Sequence, residues 1–244
     1  MGAFTEKSPF GSPDFKLKDS MPNPNKVIML GATGAVGNHT ALALSTMPSV
    51  KQLTLLGRRP AENIIGESVS QHEIDIFSPQ SYEPFLAGHD TAICTLGVGQ
   101  PSKMSKEEFV KIDKDAVLDF ATACKQAGVK HFSLLSSVGV SSKSSSFFLR
   151  TKGELEDGLE ALGFERLSLF HPSMIMTPTN RYGLSQGITL AVMPWLDHIL
   201  IGPLKKFRSI SSEKLGKSIA MNLLENSHAT GTESLQWGDF IRLC

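Results

Sequence analysis

Glycines at a regular spacing mark the part of the chain that says most about chemistry. Residues 31–37 read Gly-Ala-Thr-Gly-Ala-Val-Gly and directly follow the short apolar run 26–30. In a turn from strand to helix, Gly31 permits the tight bend, Gly34 lets the backbone approach a pyrophosphate, and Gly37 lets the helix pack closely on the strand. The free amides and the dipole at the start of the helix favour phosphate. The segment therefore predicts a dinucleotide-binding loop, with contacts from Gly31, Thr33, Gly34, Ala35, Val36 and Gly37.

A pair of arginines follows the second apolar run, residues 52–56. Arg58 and Arg59 stand where NAD-binding proteins with such a loop carry an acidic residue that holds the ribose 2′-hydroxyl. Two guanidinium groups suit a 2′-phosphate, which they bind through forked, charge-assisted hydrogen bonds. The predicted cofactor is therefore NADP(H). Asp75, after the third apolar run, is a candidate contact to the adenine, with an ordinary exposed turn residue as the alternative.

The elements that must position these residues alternate between strand and helix. Strands are predicted over residues 26–30, 52–56, 69–76, 91–96, 131–135 and 166–170, with a last one near 233–237. Helices are predicted over residues 35–46, 105–127, 147–162, 184–200 and 212–224. This alternation indicates βαβ units and an α/β fold, a single Rossmann-type domain with a doubly wound parallel sheet. Ligands bind at the carboxyl ends of such strands, so Leu96 and Gly97 are also predicted cofactor contacts.

Composition and charge exclude several classes of protein. The 244 residues include 24 Lys and Arg and 24 Asp and Glu, so no overall field attracts nucleic acid or an anionic membrane. Three cysteines, Cys94, Cys124 and Cys244, have neither a disulfide framework nor metal-site spacing, and no metal site is predicted. Cys94 and Cys124 fall in apolar runs typical of a core. The odd number of cysteines suits a reducing compartment, and a cytoplasmic location is expected.

Two units are expected along the chain. Residues 1–25, rich in Pro, Ser, Lys and Asn, predict a flexible tail, and residues 26–244 form the NAD(P)-binding domain with a small C-terminal region for substrate or partner. No stretch has the unbroken apolar length of a membrane span. The apolar segment 184–201 is the one candidate for lying on a membrane or partner, with packing in the core or pocket as the alternative. The serine-rich stretch 141–146 predicts a flexible loop, with a lid or phosphorylation target as alternatives.

Seven short motifs form a combination more specific than any one of them. They are Leu30–Gly37, Leu55–Arg59, Gly88–Asp90, Leu96–Gly97, Phe109–Asp113, His131–Ser137 and Lys152–Glu156. With them the chain resembles, over residues 26–240, the short-chain dehydrogenase/reductase superfamily, and most of all its atypical, Tat-interacting-protein-like branch. The resemblance implies NADP(H) binding and a nicotinamide site near Ser137, Lys152 and residues 172–175, which adds Pro172 to the predicted contacts. The family's usual Arg-Pro-Gly is replaced by His171-Pro172-Ser173.

The resemblance also implies a catalytic tyrosine that this chain lacks. In the superfamily a Tyr transfers the proton, a Lys four residues later lowers the pKa of that Tyr and holds the nicotinamide ribose, and a Ser polarises the carbonyl. Here Lys152 is present, but Phe148 stands four residues before it. Ser137 fits the serine position, with Ser136 as the fallback. Tyr182 and His171 are candidate substitutes for the proton donor, although ordinary structural roles are the simpler interpretation of both.

The sequence therefore leaves the activity open. The first hypothesis is an NADP(H)-dependent oxidoreductase acting on a small carbonyl, with Ser137 and Lys152 in the catalytic roles and weakened proton transfer. The second is a non-catalytic NADPH-sensing regulator or adaptor, whose protein partner distinguishes the bound from the free form. An isomerase or lyase that uses the cofactor transiently is a third option. Some relatives in this branch associate with mitochondria, so peripheral attachment to the mitochondrial outer membrane is the alternative to a cytoplasmic location.

Overall fold

Apolar runs bounded by turn residues form the strands of the protein. The computed structural model describes residues 25–99, 103–177, 199–225 and 229–244. Its strands are β1 (Asn25–Leu30), β2 (Val50–Gly57), β3 (Val69–Glu73), β4 (Thr91–Cys94), β5 (His131–Leu135), β6 (Arg166–Phe170), β7 (Ile175–Met176), β8 (Ile210–Ser211) and β9 (Gly231–Leu235). Strands β4 and β6 are buried along their length and β1 is buried from Val27 to Leu30, as parallel strands covered on both faces must be.

Helices connect the strands and lie on both faces of the sheet. They are α1 (Ala35–Ser45), α2 (Lys106–Val110), α3 (Ala116–Gln126), α4 (Phe147–Ala161), α5 (Ser212–Asn222) and α6 (Trp237–Arg242). A π-helical turn, Lys111–Asp115, joins α2 to α3. Ser105 and Glu108 form a capping box that starts α2, because each side chain accepts a hydrogen bond from the other residue's backbone amide.

Seven strands within the described residues form one parallel sheet in the order β3-β2-β1-β4-β5-β6-β9. The direction of winding reverses between β1 and β4, which are hydrogen-bonded neighbours. Crevices for ligands form at the carboxyl ends of strands on either side of such a reversal. The glycine loop follows β1 and Leu96–Gly97 follow β4, so the topology brings these predicted segments together. The predicted Rossmann-type fold is confirmed.

The core has two parts, one on each face of the sheet. On one face, Val36, Leu44 and Leu215 belong to a cluster that joins α1 and α5 to the sheet. On the other face, Phe120 and Leu155 belong to a cluster that joins α3 and α4 to the sheet. Cys94 and Cys124 lie in this second cluster, which confirms their predicted place in the core.

The structure corrects several predicted boundaries. The third strand ends at Glu73 rather than reaching Ile76, and the last strand covers Gly231–Leu235, so that Trp237 begins a helix instead of continuing a strand. Strong apolar runs were located closely because their burial follows their composition; the last strand is mostly exposed and polar, so its pattern is weak. The predicted tail lies outside the described residues except for Asn25. The predicted helix at 184–200 lies outside them almost entirely.

Candidate cofactor and active site

The turn after β1 is built so tightly that only glycine fits. Gly31 has φ +99°, in the left-handed region that favours glycine. A Cβ on Gly31 would lie 2.7 Å from Thr95 Oγ1, and a Cβ on Gly37 would lie 2.1 Å from the carbonyl oxygen of Gly31. Thr95 donates a hydrogen bond to that same oxygen at 3.1 Å. The first and third glycines therefore have the packing roles that the motif predicted.

The N-terminus of α1 leaves its backbone donors available to a ligand. Its N-cap residue, Gly34, has no side chain to cap the helix, and no acidic residue stands in the first turn. The first amides of a helix have no partner within the helix. Gly34, Ala35 and Val36 line a cavity of about 570 Å³. This uncapped helix start beside a cavity fits an anionic group such as the pyrophosphate of a dinucleotide.

A second cavity, of about 360 Å³, holds the arginine pair. It is lined by Leu30, Gly31, Thr33, Gly57, Arg58, Arg59, Ile76 and Leu96. This lining includes two guanidinium groups and no carboxylate. Arg58 and Arg59 are both exposed, so a bound phosphate would meet them without first breaking an ion pair that the structure records.

Asp75 lies outside both cavities. Its Oδ1 accepts a hydrogen bond from the backbone amide of Phe77 at 2.9 Å, and its own amide donates to Ser81 Oγ at 3.1 Å. The neighbouring residue Ile76 lines the arginine cavity instead. The carboxylate is thus committed in part to its own turn, as in the alternative interpretation of this residue.

Leu96 connects the two cavities, because it lines both. The next residue, Gly97, lines the larger cavity, and a Cβ there would lie 3.2 Å from Asp113 Oδ1. Pro172 lines the larger cavity from the opposite side, after β6. The predicted contacts after β1, β2, β4 and β6 therefore line two cavities that share Leu96.

A buried ion pair contributes to the lining of the larger cavity. Lys152 Nζ lies 2.9 Å from Asp113 Oδ1, with side-chain exposures of 8% and 1%. Asp113 Oδ2 accepts a hydrogen bond from the amide of Val98 at 2.7 Å. The π-helical turn between α2 and α3 carries Asp113 to this point, and π-turns within helices recur at functional sites. Asp113 is the last residue of the matching motif Phe109–Asp113, but the sequence alone predicts no role for it.

Phe148 forms the aromatic wall of the larger cavity. It lies one turn before Lys152 on α4, and the Lys152 ammonium is 5.9 Å from the centre of its ring. Phe109 packs against it with 5.5 Å between ring centres. A phenylalanine ring has no proton to transfer, so the position that the resemblance assigns to a tyrosine supplies only an apolar surface.

The two adjacent serines after β5 differ in their hydrogen bonds. Both line the larger cavity. Ser136 donates a hydrogen bond to Glu156 Oε1, and the same oxygen lies 2.9 Å from Nε2 of His171. Within the described residues, no hydrogen bond to the Ser137 hydroxyl is recorded. This difference supports Ser137 as the residue that faces a substrate, and it makes Ser136, Glu156 and His171 a unit that ties the ends of β5 and β6 to α4.

The other candidate proton donors are poorly suited to protonate a substrate in the larger cavity. Tyr82 is buried in the core against Phe120, with 5.8 Å between ring centres, and burial raises the pKa of its hydroxyl. Burial also raises the pKa of the Cys94 thiol to about 12, so Cys94 stays protonated and unreactive. Tyr182 lies outside the described residues. His171 does not line either cavity.

The serine-rich stretch 141–146 is tied to the start of α4. The amide of Ser141 donates to the carbonyl of Leu149 at 3.2 Å, and Arg150 Nη1 donates to the carbonyl of Ser144 at 2.9 Å. A Cβ on Gly153 would lie 2.2 Å from the backbone of this stretch. The loop thus packs directly against the helix that carries Lys152.

The sequence of the chain matches a known family of proteins. A sequence model described as NAD(P)H-binding matches residues 31–164, more than half of the chain. The chain belongs to this NAD(P)H-binding family. Within the described residues no helix is long and apolar enough to cross a bilayer.

Individual relatives place the chain in one branch. It is 37% identical to Protein HTATIP2 of Rattus norvegicus over 164 residues, which are 66% of this chain and 67% of the relative. It is 33% identical to Protein FMP52, mitochondrial, of Meyerozyma guilliermondii over 154 residues, which are 62% of this chain and 65% of that protein. The chain is thus a member of the atypical short-chain dehydrogenase/reductase branch that includes HTATIP2, as the motifs predicted.

Solved structures agree in fold. MoeE5 in complex with UDP-glucose and NAD has a TM-score of 0.64 at 16% identity, covering 86% of this chain and 76% of that one. UDP-N-acetylglucosamine 4-epimerase from Methanobrevibacter ruminantium M1 has a TM-score of 0.65 at 14% identity, covering 88% and 77%. At such identities the likeness concerns the fold alone.

Proposed function

We propose that the protein is an NADP(H)-dependent oxidoreductase with weakened proton transfer. The observation that carries this proposal is that the arginine pair and Lys152 line two cavities that share Leu96, and these two cavities together make the proposed crevice for the cofactor. A dinucleotide along this crevice has its 2′-phosphate at Arg58 and Arg59 and its pyrophosphate at the start of α1. Its nicotinamide end then lies among the residues around Lys152.

The preference for NADP(H) rests on charge. Two exposed guanidinium groups line the smaller cavity, and no carboxylate lines it to hold a ribose 2′-hydroxyl. Arginine binds phosphate through forked hydrogen bonds, so the pair at Arg58 and Arg59 recognises the group that distinguishes NADP(H) from NAD. Thr33 lines the same cavity and adds a hydroxyl donor.

The roles in the larger cavity follow from what each side chain can still do. The reduced nicotinamide supplies the reducing equivalent as a hydride. Ser137 donates a hydrogen bond to the carbonyl oxygen of the substrate, and Lys152, held in place by Asp113, binds the nicotinamide ribose. Because Phe148 carries no hydroxyl, the final proton comes from water. General acid catalysis contributes typically 10²–10⁴-fold, so slow turnover of ordinary carbonyls follows.

A non-catalytic NADPH-sensing regulator is the second candidate. Phe148 favours it, because a protein selected for binding alone has no need of a phenol beside Lys152. In this case cofactor binding changes the affinity for a protein partner, and the partner must distinguish the two states. The cofactor site serves both candidates equally.

The proposed location is cytoplasmic, with peripheral attachment to the mitochondrial outer membrane as the alternative. Mitochondrial names among the relatives support the alternative. So do the exposed apolar side chains of Ile199, Ile201 and Leu204, next to Lys205 and Lys206, because apolar and basic groups together favour a lipid surface. Sedimentation with anionic vesicles, for the parent and for a variant with Lys205 and Lys206 changed to Glu, tests the alternative.

The central experiment combines binding with turnover. NADPH is titrated by fluorescence against the parent protein, Phe148→Tyr and the matched control Phe147→Tyr, whose side chain does not line the cavity. The same three proteins are screened with small aldehydes and ketones. We expect all three to bind NADPH, and Phe148→Tyr alone to gain carbonyl reduction by about 10-fold or more.

Three other outcomes separate the candidates. Binding of NADPH without turnover in any of the three proteins supports the regulator. Brisk reduction of simple aldehydes by the parent contradicts weakened proton transfer, because a donor other than Phe148 must then exist. Failure to bind NADPH removes both candidates.

A further inference from the structure

Among the described residues that line the larger cavity, no ionisable side chain outside an ion pair could donate the proton that carbonyl reduction needs. Among its lining residues the ionisable groups are Asp113 and Lys152, and they are paired with each other at 2.9 Å. The second oxygen of Asp113 is bonded to the amide of Val98. A proton lost from Lys152 would leave the buried carboxylate of Asp113 without its counter-charge, which is costly. The pair is therefore suited to a fixed electrostatic role.

The wall beside this pair is apolar and partly flat. Phe148 packs against Phe109, and the lining of the same cavity also includes the apolar residues Val98, Leu135, Met174 and Ile175. Rings stack favourably on aromatic side chains such as Phe148. The polar part of the same lining includes the hydroxyl of Ser137 and the positive charge of Lys152. A substrate that fits has a flat apolar body and an oxygen that becomes negative during the reaction.

We propose that the substrate class is a quinone. This inference rests on the proposed oxidoreductase function and names its substrate. The quinone accepts a hydride, that is two electrons and one proton nucleus, from the C4–H bond of the dihydronicotinamide, which becomes the oxidised, cationic nicotinamide. The hydride bonds to one quinone oxygen, and the π electron pair of that C=O passes into the ring, which becomes aromatic. The π electron pair of the other C=O moves onto its oxygen, which gives the hydroquinone monoanion. That oxygen takes its proton from water, giving the hydroquinone.

A delocalised anion explains why Phe148 is compatible with turnover. Reduction of an ordinary carbonyl gives a strongly basic alkoxide that needs a proton as it forms, whereas the hydroquinone anion is stable enough to be protonated after hydride transfer. Lys152 and Ser137 stabilise the negative oxygen meanwhile. The missing phenol is then no handicap for a quinone but remains one for an aldehyde.

The test compares two probes of equal ring size, 2,3-dimethyl-1,4-naphthoquinone and 2-naphthaldehyde, with NADPH. The fully substituted quinone cannot arylate the exposed Cys244. We expect the parent to reduce the quinone at least about 100-fold faster than the aldehyde, a ratio within the usual contribution of a general acid. Phe148→Tyr should raise aldehyde reduction at least about 10-fold and so narrow the difference between the two rates, whereas Phe147→Tyr, outside the cavity lining, should leave both rates unchanged.

A binding measurement without turnover accompanies the rates. Calorimetric titration of the quinone into the protein with NADP⁺ should give an affinity that falls about 10-fold in Phe148→Ala, because the stacking surface is removed, and stays unchanged in Phe147→Ala. Equal rates of reduction of the two probes overturn the quinone assignment but not the proposed oxidoreductase function. The same holds if the affinity for the quinone is unchanged in Phe148→Ala. NADPH binding with reduction of neither probe overturns the oxidoreductase and the assignment together.

Discussion

Asp113 and Lys152 form an ion pair across 2.9 Å in a part of the protein that is almost closed to water. The two residues are 39 positions apart, and a π-helical turn and helix α4 bring them together. One side of the pair faces the cavity in which the nicotinamide is proposed to bind. The same contact therefore joins the π-helical turn to α4 and fixes the orientation of the Lys152 side chain at the cavity.

Removal of one partner of this pair should destabilise the protein strongly. Asp113→Ala leaves the Lys152 charge buried and unpaired, and we expect a loss of about 3–5 kcal/mol in the free energy of unfolding. Asp113→Leu combined with Lys152→Met removes both charges and should cost much less. Urea denaturation followed by circular dichroism measures both. A double variant as unstable as the single one would show that the damage comes from packing.

Selectivity for the 2′-phosphate should depend on the arginine pair. Hydrogen bonds to charged groups contribute about 1.5–3 kcal/mol each. Arg58→Asp combined with Arg59→Ala should therefore lower the affinity for NADPH by roughly 10- to 100-fold or more and lower the affinity for NADH far less. Fluorescence titration with both cofactors measures this. Lys217→Glu combined with Lys214→Ala, both on the exposed face of α5, controls for the change in net charge, because it removes the same three positive charge units. Equal losses for NADPH and NADH would refute the 2′-phosphate assignment.

The third glycine of the loop, Gly37, should tolerate no side chain. A Cβ on Gly37 would lie 2.1 Å from the Gly31 carbonyl oxygen and 2.5 Å from Thr95 Oγ1, so Gly37→Ala must displace the loop. Overpacking of this kind costs about 1–3 kcal/mol, and the displaced loop should also lose NADPH affinity.

The matched control is Gly238→Ala in α6, where a Cβ would meet nothing within 4 Å. Alanine is the better helix former by about 0.5–1 kcal/mol, so this variant should be neutral or slightly more stable. Thermal melting and NADPH titration of both variants make the comparison. Normal cofactor binding by Gly37→Ala would show that the loop adapts and that close helix–strand contact is not needed there.

Local patterns were sufficient to predict most of the sheet and the tight glycine turn after β1. The glycine spacing after β1 and the apolar runs of β4 and β5 report on backbone and burial within a few residues, which is the range over which sequence determines such features directly. The family resemblance then identified Phe148 and Lys152 as the altered and the retained position. The structure places both at the same cavity.

Contacts between distant segments were not predictable in the same way. The pairing of Asp113 with Lys152, and of Glu156 with Ser136 and His171, depends on how two helices meet the ends of the strands, and no local period encodes it. The sequence held one indication that Asp113 has a role. It is an acidic residue in the matching motif Phe109–Asp113, near the start of a long predicted helix. The weak final strand was misplaced because most of its side chains are exposed.

Buried His131 should make stability depend on pH. It lies at the start of β5, where its Nε2 is 2.7 Å from Ser168 Oγ and 3.2 Å from Ser133 Oγ. Burial, with Arg166 nearby, lowers its pKa to about 3, whereas an unfolded histidine titrates near 6.5. The unfolded chain therefore takes up a proton first as the pH falls. The contribution of His131 is fully present above about pH 6.5 and is lost progressively down to about pH 3, by up to about 1.4 kcal/mol per pH unit.

The parent and His131→Asn should differ in this slope. Urea denaturation at intervals between pH 7.5 and pH 4.5 gives the free energy of unfolding of each, and the difference between the two curves isolates His131 from the carboxylates that titrate in both proteins. We expect the parent to be more stable at pH 7.5, because its hydrogen bonds to the two serines are made there, and to lose this advantage as the pH falls. Parallel curves would mean that His131 keeps an ordinary pKa in the folded protein and that the polar cluster around Arg166 accommodates its charge.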